Sequence, residues 1–324
     1  RKFALDILGE IRDSSCVPAM IAALGDPDDN VRAAAAENLG KIGAPEAVPA
    51  LLEALERPDL WFRFTILDAL GRIGDGVPVG ALLAFKDEKL LRKALFACLG
   101  RIGGAEAILA LIQGLTDTMR NVREASTVGL GQLAERHPEE VAEELSHAVD
   151  DHLIASLIDL LGCQNQAVRG AAVRLCDCVP DERFIEPLLS LVEEEEIREL
   201  ALAALVSIGR SKLEALLKFW PRADEPMKPY LACVFGELGA ETSIEALIEG
   251  VNSADSLLRL VSVQALGRLE SPTAMRQLVD CLREESEEIR EAATKALCRL
   301  GSRHREKLGE DLAPLLESGN AELR

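Results

Sequence analysis

Aromatic side chains are scarce in this chain: two Trp, one Tyr and eight Phe make up 3% of 324 residues. A β-sandwich or barrel fills its core with aromatic and β-branched residues, so this scarcity argues against both. Histidine is scarcer still, at four, and three of the four lie between 137 and 152. Nucleophilic catalysis by Ser or Cys needs a positioned base, and no such constellation can be assembled from these positions. There is no Cys-x-x-Cys pair. Cys176 and Cys178 are two apart, and positions i and i+2 diverge on a helix, so a tetrahedral thiolate site is not expected there. The glycines form neither GxGxxG nor GxxxxGK, which removes the usual phosphate loops. No apolar run reaches transmembrane length, and no signal-peptide pattern is present.

Positive charge is also in deficit. Lys and Arg number 36 against 55 Asp and Glu, for a formal net charge of −19. Nucleic-acid binding relies on clustered cations that neutralise phosphates, so it is not expected as the main activity. An acidic surface suits a basic protein partner. The eight Cys have no disulfide-like spacing, and Cys98 and Cys298 fall on apolar helix faces. They are expected to be buried free thiols, as in a reducing cytoplasm.

What the chain has in abundance is repetition. Apolar residues make up 48%, mostly Ala, Leu, Val and Ile. Glycine recurs at Gly9, Gly40, Gly71, Gly100 and Gly131, at spacings of 31, 31, 29 and 31. The register continues as Asp177, Val206, Gly236, Gly267 and Cys298. Eight residues before each stands a basic residue: Arg1, Arg32, Arg63, Arg92, Arg123, Arg169, Arg198, Lys228, Arg259 and Arg290. Within a repeat, Val48, Leu51, Leu52 and Leu55 form one apolar stripe at i, i+3, i+4 and i+7, and Val31, Ala35, Leu39 and Ile42 form another. Each repeat therefore reads as two amphipathic helices. The recurrent Gly is expected to free the chain to turn after the second helix. Pro18, Pro49, Pro78 and Pro187 fall early in first helices, where a missing backbone donor costs least. Asp28, Asp59, Glu88, Asn165, Glu194, Asp224 and Asp255 stand four before the basic residue, as caps for the second helix. The basic residue itself is expected to bridge to the next repeat.

The run DPDDNVRAAAAENLGKIGAPEAVPALLEAL (26–55) resembles a HEAT repeat of the short bacterial type named after phycobilisome lyases. The resemblance extends over essentially the whole chain. It implies an all-α, right-handed α-solenoid of about ten two-helix repeats that binds other proteins on its concave face. Some members attach bilins to phycobiliproteins, so a bilin lyase or chaperone-lyase subunit is the alternative, although no bilin-handling motif matches here. HEAT-repeat hydroxylases of deoxyhypusine use His-Glu pairs for a di-iron centre, and this chain has no such pair. Neither a cofactor nor a metal is expected.

The register breaks in three places. Residues 134–151, AERHPEEVAEELSHAVDD, form an acidic helical insertion with apolar positions Val141, Leu145, Ala148 and Val149. It separates N-terminal repeats (1–133) from C-terminal ones (152–324). Within it Glu143, His147 and Asp151 fall at i, i+4 and i+8, a shared face that suits solvation better than a metal. The second break is FWPRADEPMKPY (219–230), where the second helix is expected to start late, near Lys228 or Pro229. The third is the loss of Gly at Asp177 and Val206. Residues 1–9 match only a second helix, 304–318 resemble a first helix, and 321–324 begin another second helix. That raggedness reads as a fragment of a longer array.

Candidate partner-binding residues lie beside the basic column, on the second helices. Trp61 and Phe64 flank Arg63 and stand as apolar anchors, with Tyr230 as a third. Packing of Trp61 over Phe62 is the competing account. Glu195, Glu199, Glu288 and Glu291 stand as an acidic rim for a basic partner. No catalytic residue is proposed, no membrane partner is implied, and the oligomeric state is left open.

Overall fold

The structure is a computed structural model, and it describes residues 1–301 and 304–316. The expected helix start at 321–324 lies outside the described residues. Among the described residues every regular element is helical. The chain divides into two compact units, Arg1–Val179 and Pro180–Arg324, each an all-α solenoid. The acidic helix thus lies inside the first unit.

The N-terminal unit contains α1 (Lys2–Ile11), α2 (Val17–Ala23), α3 (Asp29–Ile42), α4 (Val48–Leu55), α5 (Leu60–Ile73), α6 (Val79–Leu83), α7 (Arg92–Ile102), α8 (Ala105–Gly114), α9 (Arg120–Arg136), α10 (Pro138–Ala148), α11 (Asp151–Leu161) and α12 (Gln166–Cys178). The second helices pack in series, α1 on α3, then α5, α7, α9 and α12. First helices α2, α4, α8 and α11 each cover their own second helix. Between α4 and α5 the side chains of Leu51, Leu55, Ile66, Leu67 and Leu70 are fully buried. Each such residue stabilises the fold by about 1.5–3 kcal/mol relative to exposure.

Asp and Asn cap the second helices as expected. Asp28 accepts from the Asn30 N–H, Asp59 from Trp61 and Phe62, and Asn165 from Ala167. Glu88, one methylene longer, turns its carboxylate to Arg63 instead, at 2.6 Å.

The recurrent glycine does not make the turn. Gly40 lies inside α3, and the left-handed residue is Gly43, three positions on, with φ 72°. Arg12, Gly74, Gly103, Gly239 and Glu270 hold positive φ at the equivalent position. Gly40 serves close approach: a Cβ there would sit 2.7 Å from the Cα of Ala69. The pattern repeats. A Cβ on Gly100 would meet the Gly129 Cα at 2.4 Å, and one on Gly267 the Ala296 Cβ at 2.6 Å. Apart from Gly131, each recurrent glycine lets its helix lie against the next second helix, on a residue two before the next glycine position.

The basic column is a staple. Arg32, Arg123 and Arg169 donate to the carbonyls of Asp26, Asp117 and Cys163, six residues back, at 2.9, 3.1 and 2.7 Å. These bonds close the loop between the two helices and satisfy carbonyls of that loop. In this unit the column also crosses to the next repeat. Arg1 pairs with Asp26 at 2.6 Å, Arg32 with Asp59 at 3.9 Å, Arg92 with Asp117, and Arg123 with Asp159 at 3.1 Å.

The extra helix α10 packs on α8, α9 and α12 through the fully buried Val141 and Leu145. It ends at Ala148; Val149 and Asp150 are extended, and Val149 is exposed. Glu143 and His147 therefore share no helix with Asp151, which opens α11. Beside the insertion, Gly131 meets Ala171, not the Leu175 that the register implies. The contact between α9 and α12 is one helical turn out of step.

The C-terminal unit contains α13 (Ile185–Leu191), α14 (Glu195–Phe219), α15 (Lys228–Leu238), α16 (Ile244–Val251), α17 (Ser256–Leu269), α18 (Met275–Asp280), α19 (Glu287–Gly301) and α20 (Arg305–Leu316). Helix α15 starts at Lys228, as the proline cluster predicts. The run α14 is two helices that meet at a kink, a second helix and the following first helix, with Lys212 out of helical geometry between them (φ −137°, ψ 46°). Arg198, Arg259 and Arg290 staple the carbonyls of Val192, Ser253 and Glu284 at 2.7, 3.0 and 2.9 Å.

Burial divides the cysteines. Cys98, Cys163, Cys176 and Cys281 are buried, whereas Cys298 is exposed, contrary to the sequence expectation. Its helix α19 presents that position outward, between the buried Leu297 and the exposed Arg299. Burial pushes the Cys98 and Cys281 thiols up to about 12, so neither is a ready nucleophile.

Candidate partner-binding face

Counted from the basic column, the positions −2, +1, +5 and +9 fall at i, i+3, i+7 and i+11, one stripe of each second helix. On α19 these are Glu288, Glu291, Lys295 and Arg299; on α9 they are Asn121, Glu124, Val128 and Gln132. All eight line grooves between second helices. One groove, of 240 Å³, runs across α7, α9 and α12 in the N-terminal unit; the other, of 530 Å³, runs between α17 and α19. Small residues, Gly129 and Ala125 in one and Gly267, Ala292 and Ala296 in the other, line the grooves between charged walls.

Trp61 and Phe64 occupy the first two positions of this stripe on α5. The Trp61 side chain is 79% exposed, and Phe64 is half-buried. Their rings meet edge-on, with centroids 5.9 Å apart and planes at 75°. Phe62 points elsewhere: it is buried beneath the Arg32 guanidinium, which lies 5.5 Å from its ring centroid. Trp61 therefore pairs with Phe64, as the i, i+3 spacing dictates, and not with its neighbour.

The sequence reading missed two counterparts of Trp61 in other repeats. Leu90, just before α7, and Leu257, on α17, stand at the same −2 position and are 71% and 55% exposed. Aligning the repeats on the basic residue would have found both. Of the acidic candidates, Glu199, Glu288 and Glu291 lie on the stripe and Glu195 one residue off it; all four are exposed. Tyr230 on α15 is half-buried, at the +2 position that Ala125 and Ala292 hold in the grooves.

The later half of the stripe carries cations that the sequence reading passed over. Lys41, Arg72, Arg101, Arg268 and Arg299 all stand at +9, near helix C-termini, where the backbone dipole favours positive charge. Several are paired along the stripe in both units, Arg268 with Glu237 in the C-terminal one. Lys41 meets Glu10 and Glu37 at 3.1 and 3.2 Å, and Arg72 and Arg101 share Asp68 at 2.8 and 2.6 Å. Among the described residues no group of three or more His, Cys, Asp or Glu is arranged to hold a metal ion, and no helix is long and apolar enough to cross a membrane.

Comparison with known proteins agrees with the repeat architecture. A family model described as HEAT repeats matches residues 1–71 and 230–324. A crystal structure of an engineered protein from a structural genomics consortium is similar in fold, with a TM-score of 0.51 at 20% identity, over 95% of this chain and 96% of that one. No curated protein matches the sequence. With the HEAT-repeat model covering half of its length and the repeat geometry continuing between the matched segments, the chain belongs to the HEAT-repeat family.

Proposed function

We propose that this chain is a non-catalytic scaffold that binds a protein partner on the stripe carried by its second helices. The observation that carries this reading is the apolar −2 position, where Trp61 and Leu90 stand exposed in successive repeats of one unit. Large exposed apolar side chains recurring at one position, with Phe64 beside the first, suit a partner contact better than solvent. Tyr230 is the third anchor, and Glu195, Glu199, Glu288 and Glu291 supply charge at the rim. A bilin-lyase role is supported by the likeness of the repeat alone, and no residue of the face adds to it. The unpaired thiols suit a reducing compartment such as the cytoplasm.

The test compares the intact chain with Trp61→Ala. Proteins retained from a native lysate by the intact chain are expected to bind the variant at least about tenfold more weakly, as for a hot-spot residue. Thermal unfolding should be unchanged, because Trp61 is exposed. A variant that melts lower but binds equally would remove Trp61 from the interface.

A further inference from the structure

The Trp61 anchor has a charged neighbour that the stripe does not neutralise. Arg63 on α5 reaches Glu88, two residues before Leu90, at 2.6 Å. Near the other end of α5, a Cβ on Gly71 would lie 3.3 Å from the Cys98 Cα on α7. These two contacts hold α5 and α7 side by side. Trp61 and Phe64, at the −2 and +1 positions of one repeat, therefore stand beside Leu90 and Lys93, at the same positions of the next. Within a repeat the two positions lie one turn apart, about 5–6 Å between Cβ atoms. Between repeats they are separated by about 8–10 Å, the distance between packed helices. Three corners of this quartet are apolar and the fourth is a cation. The patch is bounded: the same positions hold Asn30 and Ala33 on α3, and Asn121 and Glu124 on α9.

The other charges of the stripe on α3, α5, α7 and α9 are engaged. Lys41 holds Glu37 at 3.2 Å, Arg72 and Arg101 hold Asp68 at 2.8 and 2.6 Å, and Arg120 holds Glu124 at 2.9 Å. Lys93 is exposed and has no ion-pair partner among the described residues. A basic segment lying on these four helices would have to break an existing pair, whereas a carboxylate would meet an open ammonium. An apolar patch alone accepts any hydrophobic side chain; the unpaired charge at its corner selects among them.

We propose that Trp61, Phe64, Leu90 and Lys93 form one docking site for an extended partner segment that carries an apolar side chain and, two residues on, an Asp or Glu. Two residues of extended chain span about 7 Å, close to the turn that separates Leu90 from Lys93. The apolar side chain lies against Trp61, Phe64 and Leu90. The carboxylate pairs with the Lys93 ammonium, which its flexible stem carries to meet it. This rests on the protein-binding reading above and narrows it at this site: the chain is acidic as a whole, yet the segment that enters here is acidic too.

The full chain carries its own probe. Trp61 is 79% exposed and Trp220 only 3%, so the emission that responds to a surface ligand is that of Trp61. Capped peptides of about eight residues, long enough when extended to cross two helices, carry a Leu-Leu-Ser-Glu-Glu core or the same core ending in Gln-Gln or Lys-Lys. At low salt the Glu peptide should shift the emission to the blue and shield it from acrylamide. It should bind about fivefold more tightly than the Gln peptide and about tenfold more tightly than the Lys peptide. Lys93→Glu should reverse that order, and Lys93→Gln should level it, both without a change in melting temperature. With fluorescein-labelled Glu peptide and anisotropy as the readout, Trp61→Phe should keep binding and Trp61→Ala should lose about tenfold. Equal binding of the three peptides, no shielding of Trp61, or an order unmoved by Lys93→Glu would each overturn the proposal. A lysate partner lost with Trp61→Ala but held equally by Lys93→Glu would refute the acidic selection and leave the scaffold reading intact. Peptide selection through Lys93, with a lysate partner indifferent to Trp61→Ala, would uphold the docking site and remove Trp61 from the scaffold reading.

Discussion

In the N-terminal unit the recurrent arginine reaches in two directions. Arg123 bonds the Asp117 carbonyl of its own repeat and the Asp159 carboxylate of the next. Arg63 likewise bonds its own loop and Glu88. In the C-terminal unit Arg198 and Arg259 make the own-repeat bonds, and among the described residues neither pairs with a carboxylate of the next. For Arg259 the reason is legible: the position four before Arg290 is Ser286, where Asp59 and Glu88 stand in the other unit. One residue type thus has a constant duty, closing the loop inside a repeat, and a variable one, tying repeats together. The glycine contact, by contrast, is common to both units. Nearest-neighbour coupling between repeats is therefore made of packing everywhere and of charge more often in the N-terminal unit, although Lys228 with Glu249 and Arg268 with Glu237 also cross between repeats in the C-terminal one.

The largest expected effect attacks what the units share. Gly100→Val and Gly236→Val each force a side chain into a facing helix, where even a Cβ would lie 2.4 Å from the Gly129 Cα and 2.9 Å from the Ala265 Cα. Each should cost about 3 kcal/mol or more in denaturant unfolding, at any ionic strength. A loss confined to one variant would break the claim that the contact is common.

The next effect separates the units. The Asp117 side chain is 2% exposed, accepts from the Met119 N–H at 2.8 Å and pairs with Arg92. Asp117→Ala should cost about 3 kcal/mol, because it uncaps a turn and strands a part-buried guanidinium. Arg259→Ala, which loses only bonds to the Ser253 and Ala254 carbonyls, should cost about 1.5 kcal/mol. Raising salt to molar levels should shrink the coupling measured in an Arg92–Asp117 double-mutant cycle and leave the Arg259→Ala cost nearly unchanged.

The smallest effect concerns acid. The hydrogen bond from the Arg183 side chain holds the Asp181 carboxyl down to about 2, from 3.8. A depressed carboxylate contributes stability that is full above the unfolded value and lost as pH falls through the folded one. Stability should therefore decline from about pH 4 to pH 2, by under about 1 kcal/mol because solvent screens this part-exposed pair. Asp181→Asn should flatten that decline in acid titrations of unfolding. An unchanged acid limb would show the pair contributes nothing measurable.

Much of the architecture was readable from residues alone. The helix pairs, the late start of α15 at Lys228 and the caps at Asp28, Asp59 and Asn165 follow from local periodicity and side-chain reach. Gly40 was found but misread, because a sequence shows that a small residue recurs and not whether it relieves a turn or a contact. Gly43, three positions later, does the turning. The kink within α14 falls at Lys212, so the second helix and the following first helix stay separate there even though Val206 breaks the glycine column. The candidate face was half legible. Trp61 stands out by type, whereas Leu90, Leu257, Arg268 and Arg299 are ordinary residues until their helices are stacked.

The sequence by itself determined the repeat: a period near 31 residues, two amphipathic helices, a staple arginine and a glycine contact. Those depend on interactions within about one repeat and its neighbour, which a periodic pattern records directly. Only the tertiary structure decided which side chains face one another. The one-turn slip of Gly131 onto Ala171 and the placement of Trp61 and Phe64 beside Leu90 and Lys93 arise from inter-helix spacing and register. Those quantities are set by the summed packing of many side chains, and no single motif encodes them.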